Sequence, residues 1–277
     1  MTIFTKQNKI NRELSSFKTA GYVLHSLECK ESIYELRSFF EKELKKRTNS
    51  EISLETYHHF VEDDKEQTRL HYELSQAFWK SKLHIEIFKK NNLFFKELAG
   101  LDLDVQVKPH FRLARANKPQ DNIGFHRDIE YGVSAYETSC FFALTNIVSE
   151  GALQIAPQSH TLSNVKIKSI NNDQVEKGSI KHQLGVPYKF QTLADESFRD
   201  SLISIPMKIG EVLCFNLALI HGQEINKSAS TRWSFDARIK NTFIKSSARD
   251  EYYASLFQSP ATKAGLNHYK NNPGTQK

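Results

Sequence analysis

Residues 124–128 read Gly-Phe-His126-Arg-Asp128 and place an imidazole and a carboxylate two positions apart. In an extended segment, residues i and i+2 project to the same side, so both groups can reach one metal ion. A lone H-x-D is common by chance, and a surface histidine beside a surface ion pair explains most of them. A second histidine, His221, ends the apolar run Leu219-Ile220 and opens the stretch HGQEIN. Alone, it reads as a core or rim histidine. Arg232 follows His221 by eleven residues, in the alternating run TRWSFDARIK. There Arg232, Ser234, Asp236 and Arg238 share one face, and Trp233, Phe235, Ala237 and Ile239 share the other. If the apolar face meets a helical layer, the polar face points inward, where an unpartnered charge is costly. The bland reading is an Arg238–Asp236 surface pair. The functional one is an arginine kept for a ligand carboxylate.

Together these pieces carry more than each alone. Two histidines and one aspartate make up the facial triad of non-heme Fe(II) oxygenases, which leaves metal positions open for a chelating 2-oxo acid and O2. A buried arginine such as Arg232 can grip the far carboxylate of that acid by a bidentate, charge-assisted pair. The segment 151–160 (GALQIAPQSH) reads as turn chemistry and structural support.

The elements around these residues fall into two textures. Residues 31–47 carry apolar positions at Ile33, Leu36, Phe39, Phe40 and Leu44, the stripe of an amphipathic helix. Residues 68–98 are also helix-like, with a break expected near Asn91-Asn92 and a C-cap at Gly100. A strand is expected over 20–27, ahead of the first helix. From Val105 the period changes: strands are expected over 105–116, 138–145, 153–156, 212–215 and 231–240. This order predicts an α+β fold, a jelly-roll or double-stranded β-helix barrel braced by N-terminal helices. The expected division is one domain: helical support over about 28–100, barrel core over about 105–240, and a frayed tail over about 258–277. The polar stretch 160–203 reads as a lid or insertion.

Composition bounds the rest. The chain has 277 residues, 39% hydrophobic and 25% charged, with 19 Phe and 10 Tyr, which describes a foldable globular sequence rather than a disordered one. It has no apolar run long enough for a spanning helix, and its first residues lack the apolar core of a secretory signal. Cys29, Cys140 and Cys214 are far apart in sequence, which excludes a cysteine zinc motif and fits a cytoplasmic setting. The net charge of +6 is a weak hint of an anionic partner. The basic runs 45–47 and 89–90 read as solvated helix faces, and without a basic stripe interleaved with aromatics no nucleic-acid partner is expected.

The motifs AGYVLHSL, GFHRD, GALQIAPQSH, GEVLCF and HGQEINKSASTR occur in one order over about residues 15–240. In that order they resemble the phytanoyl-CoA dioxygenase-type family of Fe(II)/2-oxoglutarate oxygenases. The resemblance implies a double-stranded β-helix, with Fe(II) held by His126, Asp128 and His221 and 2-oxoglutarate bound by Arg232. Asn117 resembles a 2-oxoglutarate contact of ectoine-hydroxylase-like relatives, against the plainer reading of a turn residue before Lys118-Pro119. With Asp128 intact, the resemblance implies hydroxylation or a related oxidation using O2, on a small polar metabolite. The alternatives are a macromolecule or acyl-CoA as substrate, or a cupin-like binding protein or isomerase. Arg112, Arg115, Arg127 and Arg238, near the expected mouth, favour an anionic or highly hydroxylated substrate if they face it; for Arg127 a surface or ion-paired side chain is the expectation.

Overall fold

The apolar stripe that predicts the first long helix becomes a buried seam. In the computed structural model, which describes residues 3–163, 165–173, 175–184, 186, 189–248 and 251–271 (side chains from residue 10), Ile33, Leu36, Phe40 and Leu44 are fully buried. The helical layer consists of α1 (Ile3–Ala20), α2 (Glu31–Thr48), α3 (Asp64–Ser81), α4 (Leu83–Lys90) and α5 (Asn92–Ala99), with strand β1 (Tyr22–Ser26) between the first two. The helix α1, ahead of β1, lies outside the expected helical support. Asp63 caps α3, its side chain accepting from the backbone N–H groups of Lys65 and Glu66. The expected break at Asn91 is present, and Gly100 closes α5. A second break falls at Lys82, which adopts a left-handed conformation (φ 55°) between α3 and α4. A non-glycine there carries no strong sequence signal.

Beyond the helices come β2 (Leu103–Gln106), β3 (His110–Ala114), β4 (Thr138–Ala143), β5 (Leu153–Ile155), β6 (Ile167–Asn171), the short α6 (Ile180–Gln183), β7 (Lys189–Leu193), β8 (Ile203–Ile205), β9 (Glu211–Asn216), β10 (His221–Gly222), β11 (Arg232–Asn241), β12 (Tyr253–Phe257) and α7 (Pro260–Asn271). The single strand expected over 105–116 is two, interrupted before His110. The stretch 160–203 holds a two-stranded antiparallel β6–β7 pair, unread in the sequence because β6 is mostly exposed, β7 is mostly half-buried, and neither has a clean period. The described part of the tail holds a helix rather than a frayed end: α7 runs to Asn271. Residues 272–277 of the expected tail lie outside the described residues.

A seven-stranded antiparallel sheet in the order β1-β9-β4-β11-β2-β12, with β3 also on β11, faces a smaller sheet β10-β5-β8. Phe141, Ala143, Leu213 and Phe215 from the large sheet pack with Leu153, Ile155 and Ile205 from the small one. This is the double-stranded, jelly-roll arrangement that the strand pattern predicts. The other face of the large sheet meets the helices, and here the alternation of β11 decides which side chain goes where. Trp233, Phe235, Ala237 and Ile239 are fully buried among Phe40, Phe78, Phe88 and Phe95. Each such aromatic contributes about 1.5–3 kcal/mol on burial. The opposite face of β11 therefore looks into the barrel.

The basic runs do sit on helix faces. Lys45 pairs with Glu51, Lys46 and Arg47 with Glu43, Lys89 with Glu86 and Lys90 with Glu35. No helix among the described residues is long and apolar enough to cross a membrane.

Candidate metal centre and cosubstrate pocket

Two backbone segments bring the distant histidines together. His126 and His221 form an isolated antiparallel bridge, each N–H donating to the other's carbonyl at 2.9 and 3.0 Å. Their rings then lie 4.5 Å apart, centroid to centroid. Each ring is oriented by its own chain: His126 Nδ1 lies 2.8 Å from Gly124 O, and His221 Nδ1 lies 2.9 Å from Leu219 O. A carbonyl only accepts, so each Nδ1 carries the proton and each Nε2 keeps its lone pair. Both Nε2 atoms face Asp128 Oδ1, at 3.3 Å from His126 and 3.8 Å from His221. The three donor atoms lie within 4.8 Å of one another, a set that suits one metal ion.

The motifs around the histidines hold this arrangement. Ser159, in the PQSH stretch, accepts from the Ile220 N–H and donates to Ala156 O, fixing the residue before His221. Gly222 lies so close to Phe125 that an added Cβ would stand 2.7 Å from its Cα. Asn226 is buried, donates to Ala114 O and Ser230 O, and ties the loop leading to Arg232. Gly151 packs against that same Asn226, where a Cβ would come within 2.5 Å of Oδ1.

Electrostatics match the geometry. Burial would push the Asp128 carboxyl up. The Arg238 charge outweighs it and holds Asp128 well below the usual carboxylate range. Burial, and then the neighbouring His126, push His221 down to about 4 against the pull of Asp128, so it is neutral at neutral pH. A neutral imidazole and an ionised carboxylate are the forms that bind a metal ion.

These groups line a cavity of about 330 Å³, which Arg232 also faces. Arg232 is buried, donates from Nη1 to Gly151 O at 3.0 Å and from Nη2 to Gln223 Oε1, and its Nε has no partner. Among the described residues no carboxylate pairs with it. Burial, and then the nearby Arg112, lower its pKa to about 10, so it stays charged at neutral pH. A buried, charged guanidinium held by neutral acceptors and open to a cavity is suited to a ligand carboxylate.

The other candidates separate. Arg238 does not pair with Asp236; its Nη2 donates to Asp128 Oδ2 at 3.0 Å. Asp236 instead meets His110 at 2.9 Å and Arg112 at 3.3 Å. Arg115 is fully buried against Asp121 and Asp64, outside the cavity. Arg127 is ion-paired rather than on the surface: it is buried, donates to Leu162 O and lies 3.9 Å from Glu130 Oε1. Asn117 does not line the cavity; it is exposed, left-handed (φ 57°), and its N–H bonds to Asn226 O, as a turn residue does. Sequence reasoning missed Gln223, two residues past His221 and so on the same side of the chain, and Tyr131 and Tyr252 at the cavity wall.

A family model, Phytanoyl-CoA dioxygenase (PhyH), matches residues 20–234. No curated protein matches the chain in sequence. Among solved structures, the non-heme monooxygenase ThoJ in its apo form is similar at a TM-score of 0.55 and 14% identity, covering 93% of each chain. EctD from S. alaskensis with bound Fe gives a TM-score of 0.56 at 14% identity, over 90% of this chain and 86% of that one. SnoN, a non-heme alpha-ketoglutarate-dependent epimerase from nogalamycin biosynthesis, gives 0.52 at 13% identity, over 91% of this chain and all of the other. At these identities the likeness is one of fold.

Proposed function

The chain belongs to the phytanoyl-CoA dioxygenase family of Fe(II)- and 2-oxoglutarate-dependent enzymes, and on that premise we propose that it oxidises a C–H bond of a small polar metabolite, with hydroxylation as the outcome. The observation that carries this reading is the pairing of two features in one cavity. Two oriented Nε2 atoms and a carboxylate converge within 4.8 Å, and a buried arginine with no carboxylate partner among the described residues opens into the same space.

On this reading His126, Asp128 and His221 hold the metal, and Arg232 holds the distal carboxylate of 2-oxoglutarate. With iron bound, O2 and 2-oxoglutarate supply the oxidising power, giving succinate and CO2 and leaving one oxygen atom for the substrate. The chain contributes position and shelter. Gly124 O and Leu219 O fix the imidazole orientations. Gln223 and Gly151 preset the Arg232 fork. Phe141, Leu153 and Phe215 line the cavity with apolar surface and exclude water there. A volume of about 330 Å³ suits a small molecule better than a long acyl-CoA.

The test is an anaerobic titration with Fe(II) and 2-oxoglutarate, followed by a succinate-release screen over candidate metabolites. A visible charge-transfer band and substrate-dependent succinate are expected, with the product heavier by one oxygen. SnoN is described as an epimerase, so product mass is also informative: a product of unchanged mass would replace hydroxylation by epimerisation, and one that has lost a pair of hydrogens would replace it by desaturation or ring closure. Absence of the band would remove the reading itself.

A further inference from the structure

Resting on the oxygenase reading, we infer that Arg112 anchors the substrate, and that the substrate is a small molecule bearing a carboxylate or phosphate oxyanion. Three guanidiniums line the cavity: Arg112, Arg232 and Arg238. Two are accounted for. Arg238 clamps Asp128, and Arg232 is set for the cosubstrate. Arg112 spends only its Nε, on Asp236 Oδ1 at 3.3 Å. Among the described residues its two Nη groups have no hydrogen-bond partner. Its side chain is one-fifth exposed, so it faces the cavity rather than open solvent.

The position follows from strand register. Arg112 on β3 lies opposite Ser234 on β11, one alternation step from Arg232 and one from Asp236. Asp236, shared with His110, holds the base of the guanidinium and leaves its outer edge free. That edge presents two parallel N–H groups, which match two oxygens of a carboxylate or phosphate. Charge bookkeeping agrees. Counted over arginines and aspartates alone, three against two leave one positive charge on the lining. A divalent metal and a dianionic cosubstrate cancel each other, so the surplus persists in the loaded site. A partly buried charge of this kind is costly until an anion meets it.

The experiment uses inorganic phosphate and acetate as separate probes, at constant ionic strength, on protein loaded anaerobically with Fe(II) and 2-oxoglutarate. The wild type should show a saturable change in the visible band without losing it. Arg112→Gln should bind the better probe about 10- to 100-fold more weakly, and Arg112→Lys should restore part of the loss. The preference between phosphate and acetate identifies which oxyanion the substrate carries. A band that forms normally but responds to neither probe, or responds equally in Arg112→Gln, overturns the inference and leaves the oxygenase reading intact. An Arg112→Gln variant that instead needs far more 2-oxoglutarate makes Arg112 a cosubstrate contact and also overturns it. If no band forms at all, the oxygenase reading fails, and thermal midpoints of metal-free protein still decide the anion site. A phosphate-induced rise must then vanish in Arg112→Gln and persist in Arg232→Ala; any other pattern rejects it.

Discussion

Arg238 Nη2 donates to Asp128 Oδ2 across 3.0 Å, while the other oxygen of the same carboxylate faces both His126 Nε2 and His221 Nε2. One oxygen is thus committed to the arginine and the other to the convergent histidines. Arg238 sits on β11 and Asp128 opens a short turn 110 residues away, so the pair also pins that turn to the barrel wall. Replacing Arg238 with Gln frees the carboxylate to rotate and removes its main compensating charge. Apparent Fe(II) affinity should fall about 10–100-fold, with Arg238→Lys between the two. Anaerobic Fe(II) titration checks this, and equal affinities would show that the clamp contributes nothing to the site.

Arg232 makes a different prediction because its proposed partner is the cosubstrate. Arg232→Ala leaves the three donor residues in place, so Fe(II) binding should change little. The apparent KM for 2-oxoglutarate should rise, since truncating one side of a buried charge pair costs about 2–5 kcal/mol. An unaltered 2-oxoglutarate requirement, measured by succinate release, would remove Arg232 from that role.

How far the sequence carries can be judged at β11. Alternation alone sorts Trp233 and Phe235 toward the helices and Arg232 and Arg238 into the barrel, and the structure agrees. Partner choice is another matter. Neighbours at i and i+2 on a strand share a face but stand nearly 7 Å apart, so Asp236 and Arg238 find better partners across strands. Those partners, Arg112 and Asp128, are more than a hundred residues away, where no local pattern points. The same limit hid Gln223 beside Arg232, because its role appears only when the loop closes. The convergence of His126, Asp128, His221 and Arg232 on one cavity was legible because their residue types and spacing suit one chemistry. The β6–β7 pair was not, because an exposed strand against a half-buried one leaves no hydrophobic period to read.

Gly222 tests whether backbone proximity holds the metal centre. A Cβ there would meet Phe125 Cα at 2.7 Å and Phe125 N at 2.9 Å, and backbone cannot rotate away as a side chain can. Gly222→Ala should therefore push the His126 segment from the His221 strand and lengthen their mutual hydrogen bonds. Metal affinity should drop by more than in Gly124→Ala, where nothing lies within 4 Å of the added carbon. Calorimetric metal titration of the two variants makes the comparison, and equal affinities would show that the bridge tolerates the displacement.

The pH dependence of stability should trace in part to His84, far from the metal centre. It is fully buried, its Nε2 lies 3.2 Å from Gln106 O, and its Nδ1 has no partner among the described residues. Nε2 carries the proton that bonds the carbonyl, so protonating Nδ1 would bury a charge without an acceptor. Burial accordingly pushes the imidazole down to about 4, against the Gln106 hydrogen bond. The unfolded chain takes up this proton near pH 6.5 and the folded one only near 4. Between those values the unfolded state binds more protons, so stability rises with pH. The contribution is full above about pH 6.5 and is lost as pH falls toward 4, amounting to about 3 kcal/mol from the shift. Urea unfolding at pH 7 and at pH 4.5 should show the wild type losing more stability than His84→Leu, which cannot titrate. Parallel losses in the two proteins would assign the acid sensitivity to other groups.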